Sequence, residues 1–433
     1  MNESGMVALL FGAFFLLVVL RVPVGFALLT ASLAGIVADR LPPVLVAQKM
    51  FEGLTPFPIL AIPLFYLAGA FATQGGIGER LINLSIALVG RFRGGPAQVD
   101  VVQSMVFAGI SGSSVADTVG SGSVLIPQEI RNGYPREFAV ALTAVTSTMG
   151  VIIPPSILAV IYGAYGNVSI GALFLGGAIP GLTIGFGLML LVYVMARMND
   201  YPTMNLAGNP GVWRTLLAAA LPMGVPAIVI GGVVGGVFTA TESAAVAVVY
   251  TVAVSMLVYR ELSIRGLWRQ LNDMGAFIAM PLMMTAAATL FGWLLSYYSF
   301  PDTLVGAAKY FGATQLGVLG FVVTLFVILG CFLDSIPAII MFLPTIQKLG
   351  NSVAIDPVHL GVVVILVLAW GLVTPPYGVC LLVAAQIGQI PARRAFGFVA
   401  LFSIPILLVI AVSVLWPEFS LWLPRTMLPE SSQ

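Results

Sequence analysis

The chain has 433 residues, 59% of them hydrophobic and 8% charged, against roughly 45–50% and about 25% in ordinary soluble domains. This excludes a soluble globular protein and describes a polytopic membrane protein whose solvent is the lipid bilayer. The net charge of +1 gives no electrostatic ground for nucleic-acid binding.

The chain starts MNESGM and runs straight into apolar sequence. It has no basic leader region and no small-residue cleavage site, so a mature first span with no signal peptide is expected. A span needs about 20 mostly apolar residues, fewer where it is buried in the bundle. In the first half the candidates are residues 5–20, 24–37, 56–71, 138–165 and 172–195. Only Arg21 and Pro23 interrupt the first two, which read equally well as one kinked helix. A polar linker follows at 199–210. The second half offers 216–238, 243–259, 276–297, 359–387 and 396–414. Between the third and fourth span of each half lies a segment, 95–131 and 317–348, with a polar patch in its middle. That placement suits a re-entrant hairpin better than a through-span. The chain also holds 47 glycines and 28 prolines, so many helices must be kinked or broken where neighbours or cavities satisfy the freed backbone.

Basic residues orient this map. With the N-terminus outside, the cytoplasmic set is Arg21, Arg80, Arg91, Arg93, Arg131, Arg136, Arg197, Arg214, Arg260, Arg265, Arg269, Arg393 and Arg394. The outer set is Arg40, Lys49, Lys309, Lys348 and Arg425. Thirteen against five is a firm positive-inside bias. Both termini are then periplasmic. About five spans per half is an odd number, so the second half enters from the opposite side. The expected fold is an all-α polytopic membrane protein built as an inverted repeat, with one re-entrant hairpin per half. The first repeat is 1–200 with an inward-opening hairpin; the second is 211–425 with an outward-opening one. Residues 263–274 place Ile264, Leu267, Trp268, Leu271 and Met274 on one helical face. That is the pattern of an interfacial amphipathic helix, and 78–92 is its weaker counterpart in the first half.

One motif occurs twice, about 220 residues apart. GISGSSVADTVGSG (109–122) is followed by STMGVIIPPS (147–156), and GCFLDSIPAIIMFLP (330–344) by AWGLVTPPYG (369–378). Each copy pairs a polar, helix-breaking patch holding one aspartate, Asp117 or Asp334, with an apolar run broken by Gly and Pro-Pro. Matched interrupted segments of this kind point to the binding site of a secondary transporter. A carboxylate at membrane depth is costly and tends to be functional, and neither patch contains a Lys, Arg or His. A cation must offset the charge, and an oxygen-rich nest suits Na+ or a proton. Ser111, Ser113, Ser114, Thr118, Ser121 and Ser123 supply hydroxyls around Asp117, and Ser335 supplies one beside Asp334. Carbonyls freed near Gly150 and Gly371, ahead of Pro154-Pro155 and Pro375-Pro376, would complete the shells. The bland alternative has the serines capping hairpin helices and the aspartates bonding backbone N–H groups.

Other polar groups read as structural. Glu242 is expected to cap the helix starting at Ser243, and His359 to be a solvated end residue. Cys331 and Cys380 form no spacing pattern and read as packing residues. GISG resembles the nucleophile motif of intramembrane serine proteases. Such a serine needs a base, and the single histidine lies in the other repeat, so an enzyme is not expected.

Taken together, LRVPVGFAL (20–28), ILAIPLFYLAGAF (59–71), GISGSSVADTVGSGSVLIP (109–127), MGVIIPPS (149–156), GVFTATESAAVAVVY (236–250) and VTPPYG (373–378) resemble the large, DctM-type membrane subunit of tripartite ATP-independent periplasmic (TRAP) transporters. The resemblance implies a Na+-coupled importer of organic acids in a bacterial or archaeal inner membrane. It implies two partners, a small four-helix membrane subunit, expected here as a separate chain, and a periplasmic substrate-binding protein. It implies two sodium sites, one around Ser111, Gly112, Ser113, Ser114 and Gly150, the other around Gly330, Asp334, Ser335, Gly371 and Thr374, with Asp117 a direct or outer ligand. An elevator motion is implied as well, although rocking repeats would leave the same sequence pattern. The substrate carboxylate is expected among Ser113, Thr148, Thr374 and the Pro154-Pro155 and Pro375-Pro376 pairs, held by helix N-termini without any Lys or Arg. A stand-alone sodium–dicarboxylate symporter is the alternative within transport. The identity of the acid is not written in this chain.

Overall fold

The computed structural model describes residues 3–204 and 211–428, so the linker 199–210 falls partly outside the described residues. All regular structure among the described residues is helical. Among the described residues, five helices are long and apolar enough to cross a membrane: Phe57–Gln74, Ile170–Met198, Ala240–Val258, Ile264–Tyr297 and Gln315–Phe332. Two bent pairs qualify as single spans, Val212–Ala219 with Gly224–Val234 at 54° and Ala392–Phe402 with Ile404–Leu415 at 46°. The first two spans are separate helices, Glu3–Val19 and Val24–Ala38, packed on each other. Arg21 at φ 63° leaves the helical region, and Pro23 has no N–H with which to continue the ladder.

Each half carries a helical hairpin facing a broken helix. The first hairpin runs out as Gly95–Ser111 and returns as Ser114–Gly120 and Gly122–Arg131. It packs on Arg136–Ser147, which ends in the short 3-10 turn Thr148–Val151 and resumes after the prolines as Ile157–Gly166. The second hairpin is Gln315–Phe332 and Ser335–Ser352. It packs on Pro357–Gly371, which resumes as Val379–Gly388. The resumed pieces cross over. Ile157–Gly166 lies against the second hairpin, and Val379–Gly388 against the first hairpin's returning limb. The two repeats are therefore interlocked around one centre.

Several local expectations change. The amphipathic segment 263–274 is not a helix of its own; it forms the start of Ile264–Tyr297, 34 residues long and capped by Ser263. Nothing between Met274 and Ala276 stops the ladder, since a lone Gly275 costs only about 1 kcal/mol. Gln270 ties this helix down by donating from Nε2 to Ala70 O at 3.0 Å. His359 is buried rather than solvated, its Nε2 2.8 Å from Ser413 O, because the helix Ile404–Leu415 covers the start of Pro357–Gly371. Thr239, not Glu242, is the N-cap of Ala240–Ala253, and Glu242 closes a reciprocal capping box with it. The short helices Val44–Glu52, Phe300–Ala308 and Glu418–Met427, of 9, 9 and 10 residues, are too short to span, which takes about 20.

Candidate functional site

Both hairpin tips are built by the same local chemistry. The first outgoing helix stops at Gly112, whose φ of 62° lies in the left-handed region. Any side chain there would be strained, and its Cβ would come within 3.1 Å of Pro155 O. Ser113 then caps the returning helix, its Oγ accepting from the Ala116 N–H at 3.3 Å. Ser114, the first residue of that helix, donates from Oγ to Thr148 O at 3.3 Å. In the second hairpin Asp334 is the cap, its Oδ1 accepting from the Ile336 N–H at 3.1 Å. Ser335 follows and donates to Leu368 O at 3.4 Å. Each tip is also stitched to the chain just past the prolines. Gly112 O accepts from the Ile157 N–H, and Cys331 O from the Tyr377 N–H, both at 3.1 Å. Both Pro-Pro bonds are cis.

Glycine lets the backbones meet. A Cβ on Gly150 would sit 3.1 Å from Ser113 C, and one on Gly371 would sit 3.0 Å from Gly330 Cα. The two tips converge on a cavity of ≈ 40 Å³, lined by Ser113, Ser114, Asp334 and Ser335 with Tyr66 and apolar neighbours. A larger cavity of ≈ 270 Å³ shares Tyr66 and lies between the first hairpin's returning limb and the helices bearing Thr73 and Gln270.

The structure thus brings Ser113, Ser114, Asp334 and Ser335 to one place. The other expected residues surround it less directly. Thr148 Oγ1 donates to Val145 O at 2.6 Å, and Thr374 Oγ1 to Gly371 O at 3.0 Å, so both hydroxyls point back to their own helices. The two aspartates are not equivalent. The position of Asp334 is matched by Ser113, whereas Asp117 sits one turn into the returning helix. Its Oδ1 accepts from Ser121 Oγ at 2.8 Å and its Oδ2 has no partner. Of the six hydroxyls expected around Asp117, Thr118 and Ser123 bond backbone carbonyls of their own limb instead. Ser111 Oγ stays on the tip, 3.5 Å from Ser113 O. The His359 ring is engaged by Ser413 O. Sequence reasoning missed Tyr66, whose hydroxyl faces Ser113; a tyrosine in an apolar run gave no signal of its own.

No ion pair among the described residues involves Asp117 or Asp334. The donor set fits a hard cation on chemistry. Ser111 Oγ, Ser113 O, Ser114 Oγ and Thr148 O gather at the first tip, with hydroxyl contacts of 3.3–3.5 Å that leave lone pairs weakly used. Ser335 Oγ, Leu368 O, Gly371 O and Thr374 Oγ1 lie on the second tip and its facing helix.

The family profile described as "Tripartite ATP-independent periplasmic transporter, DctM component" matches residues 11–419. The chain belongs to the DctM family. Among its relatives is the sialic acid TRAP transporter large permease protein SiaM of Vibrio cholerae, 35% identical over 94% of this chain and 95% of the relative. Another is the C4-dicarboxylate TRAP transporter large permease protein DctM of Pseudomonas aeruginosa, 34% identical over 88% and 89%. In fold the chain is similar to the crystal structure of the YdaH transporter of Alcanivorax borkumensis. The TM-score is 0.56 at 19% identity, covering 86% of this chain and 88% of that one. As a DctM-family chain with these apolar helices, it is a multi-pass membrane permease.

Proposed function

We propose that this DctM-family chain is the large permease of a Na+-coupled importer of organic acids, working by an elevator motion. The observation that carries the reading is the meeting of two capped helix N-termini, at Ser113 and Asp334, on one cavity between the hairpin tips. Helix N-termini present unsatisfied N–H groups and positive dipole ends, which favour a carboxylate. Relatives named for sialic acid and for C4-dicarboxylates support an acid as cargo. No Lys or Arg lines the cavity, so the anion is held by backbone N–H groups and by Ser113; Thr148 and Thr374 would join only by turning from their own carbonyls, and Pro154-Pro155 and Pro375-Pro376, which lack N–H donors, shape the wall around it.

Ser111, Gly112, Ser113, Ser114 and Gly150 would hold one Na+, and Gly330, Asp334, Ser335, Gly371 and Thr374 the other, with Asp117 outside the first. Bound there, Na+ supplies the positive charge that this chain's side chains do not. The hairpins and the crossed pieces of the broken helices form the moving unit, and the remaining helices the scaffold. The repeat is inverted, with the first hairpin opening inward, the second outward and both termini periplasmic in a bacterial or archaeal inner membrane. A separate small membrane subunit and a periplasmic binding protein complete the transporter.

The test is uptake into proteoliposomes containing both membrane subunits, with the binding protein and its acid outside. Replacing Na+ by K+ is expected to abolish accumulation, and omitting the binding protein to reduce it to background. Equal uptake driven by a pH gradient without Na+ would overturn the coupling. Full uptake by the isolated chain would instead establish the stand-alone symporter.

A further inference from the structure

A second acidic group lies inside the first hairpin, away from the cavity between the tips. Asp100 stands on the outgoing helix and Glu129 on the returning limb, both 0% exposed. Asp100 is well supplied with donors from the facing helix: Thr143 Oγ1 donates to its Oδ2 at 2.5 Å, and Thr146 Oγ1 to its Oδ1 at 3.2 Å. Glu129 has none. Both its carboxyl oxygens are buried without a partner, and the side chain is directed at Asp100. The Tyr134 hydroxyl is also buried without a partner, and its ring lies within electrostatic reach of Glu129.

Among the described residues, nothing cationic faces the pair to balance it. The facing helix presents Thr143 and Thr146, the outgoing helix Ser104, the returning limb the acidic Asp117, and the loop beyond it Tyr134, whose ring packs against Tyr201 at a tilt of 39°. Arg131 is exposed, and Arg136 Nη1 donates instead to Gly388 O at 3.0 Å. No ion pair among the described residues reaches either acid. A metal is a poor candidate, since no group of three His, Cys, Asp or Glu side chains occurs among the described residues. The second hairpin's helices contain no acidic residue, so this feature belongs to the first repeat alone.

Ionised carboxylates only accept hydrogen bonds, so two in contact repel unless one is protonated. Two uncompensated buried charges would also carry a heavy desolvation penalty. We infer that Asp100 and Glu129 form a proton-binding site that holds one proton between them. Glu129 carries it as the O–H donor, and Asp100, already stabilised by two hydroxyl donors, is the anionic acceptor. The proton closes the hairpin's two limbs onto each other and onto the facing helix. It is chemically separate from the oxygen nests at the tips.

Infrared spectroscopy of the complete transporter in lipid tests this. The difference spectrum between wild type and Glu129→Gln is expected to show loss of one protonated-carboxyl C=O band. That band should shift on H/D exchange and stay unchanged when Na+ replaces K+. Gln keeps a donor to Asp100, so the variant is expected to fold; a titration of the wild-type band with pH needs no variant. Absence of any such band in wild type, no difference in Glu129→Gln, or its disappearance on adding Na+ would each overturn the assignment.

Discussion

Ser113 and Asp334 do the same structural work with different chemistry. Each caps the returning helix of its hairpin and each lines the shared cavity, but only the second brings a charge. That difference separates capping from coupling. Asp334→Asn keeps an acceptor for the Ile336 N–H, and Asn is as good a cap as Asp, so insertion and thermal stability should hardly change. On the proposed coupling, the charge that would offset a bound Na+ is lost. Apparent Na+ affinity in an uptake titration should weaken by roughly tenfold, about 1.4 kcal/mol. An unaltered Na+ dependence would reduce Asp334 to a cap and nothing more.

At the level of elements, the candidate site rests on helices that end where a bilayer would favour continuing them. Each unwound segment is tolerated because its freed groups find partners, as Gly112 O and Cys331 O do across the tips. The same demand governs outer helix ends. Asp356 caps Pro357–Gly371, its Oδ1 accepting from the N–H groups of Val358 at 2.8 Å and His359 at 3.3 Å, while Oδ2 lies 3.6 Å from Arg425. Asp356→Ala should therefore cost about 0.5–2 kcal/mol, seen as a lower thermal midpoint of the purified protein. Asp356→Asn should recover most of that loss, because the partly exposed ion pair contributes little. If both variants melt alike, the ion pair rather than the cap holds this helix start.

For the whole molecule, the crossing of Ile157–Gly166 and Val379–Gly388 onto the opposite hairpins makes the centre one body. The first hairpin also touches the helix Ala61–Gln74 outside that body: a Cβ on Gly120 would lie 3.4 Å from Thr73 Oγ1, and one on Gly69 3.2 Å from Ser111 Cα. An elevator requires this contact to slide. Oxidising a Thr73→Cys, Gly120→Cys double variant should stop uptake, and reduction should restore it. Uptake that persists in the fully cross-linked protein would exclude movement of the first hairpin past this helix.

Composition and the twofold motif determined by themselves that the chain is a helical membrane protein with two hairpins facing two Pro-Pro breaks. These features are local. Burying about 20 residues in lipid demands an apolar run, and a helix stop writes Gly, Ser or Pro into the sequence wherever it falls. The tip residues Ser113, Ser114, Asp334 and Ser335 were legible for the same reason. What only the tertiary structure decided depends on which surfaces meet. It matched Asp334 with Ser113 rather than Asp117, joined 263–274 to the helix that follows, buried His359 under a helix far along the chain, and brought Tyr66 to the cavity. It also brought Asp100 against Glu129. The apolar stretches around these residues look alike along the chain, because a membrane helix is apolar on its lipid face and its protein face. Partner choice comes from packing shape and from the pairing of buried polar groups, which residue spacing does not encode.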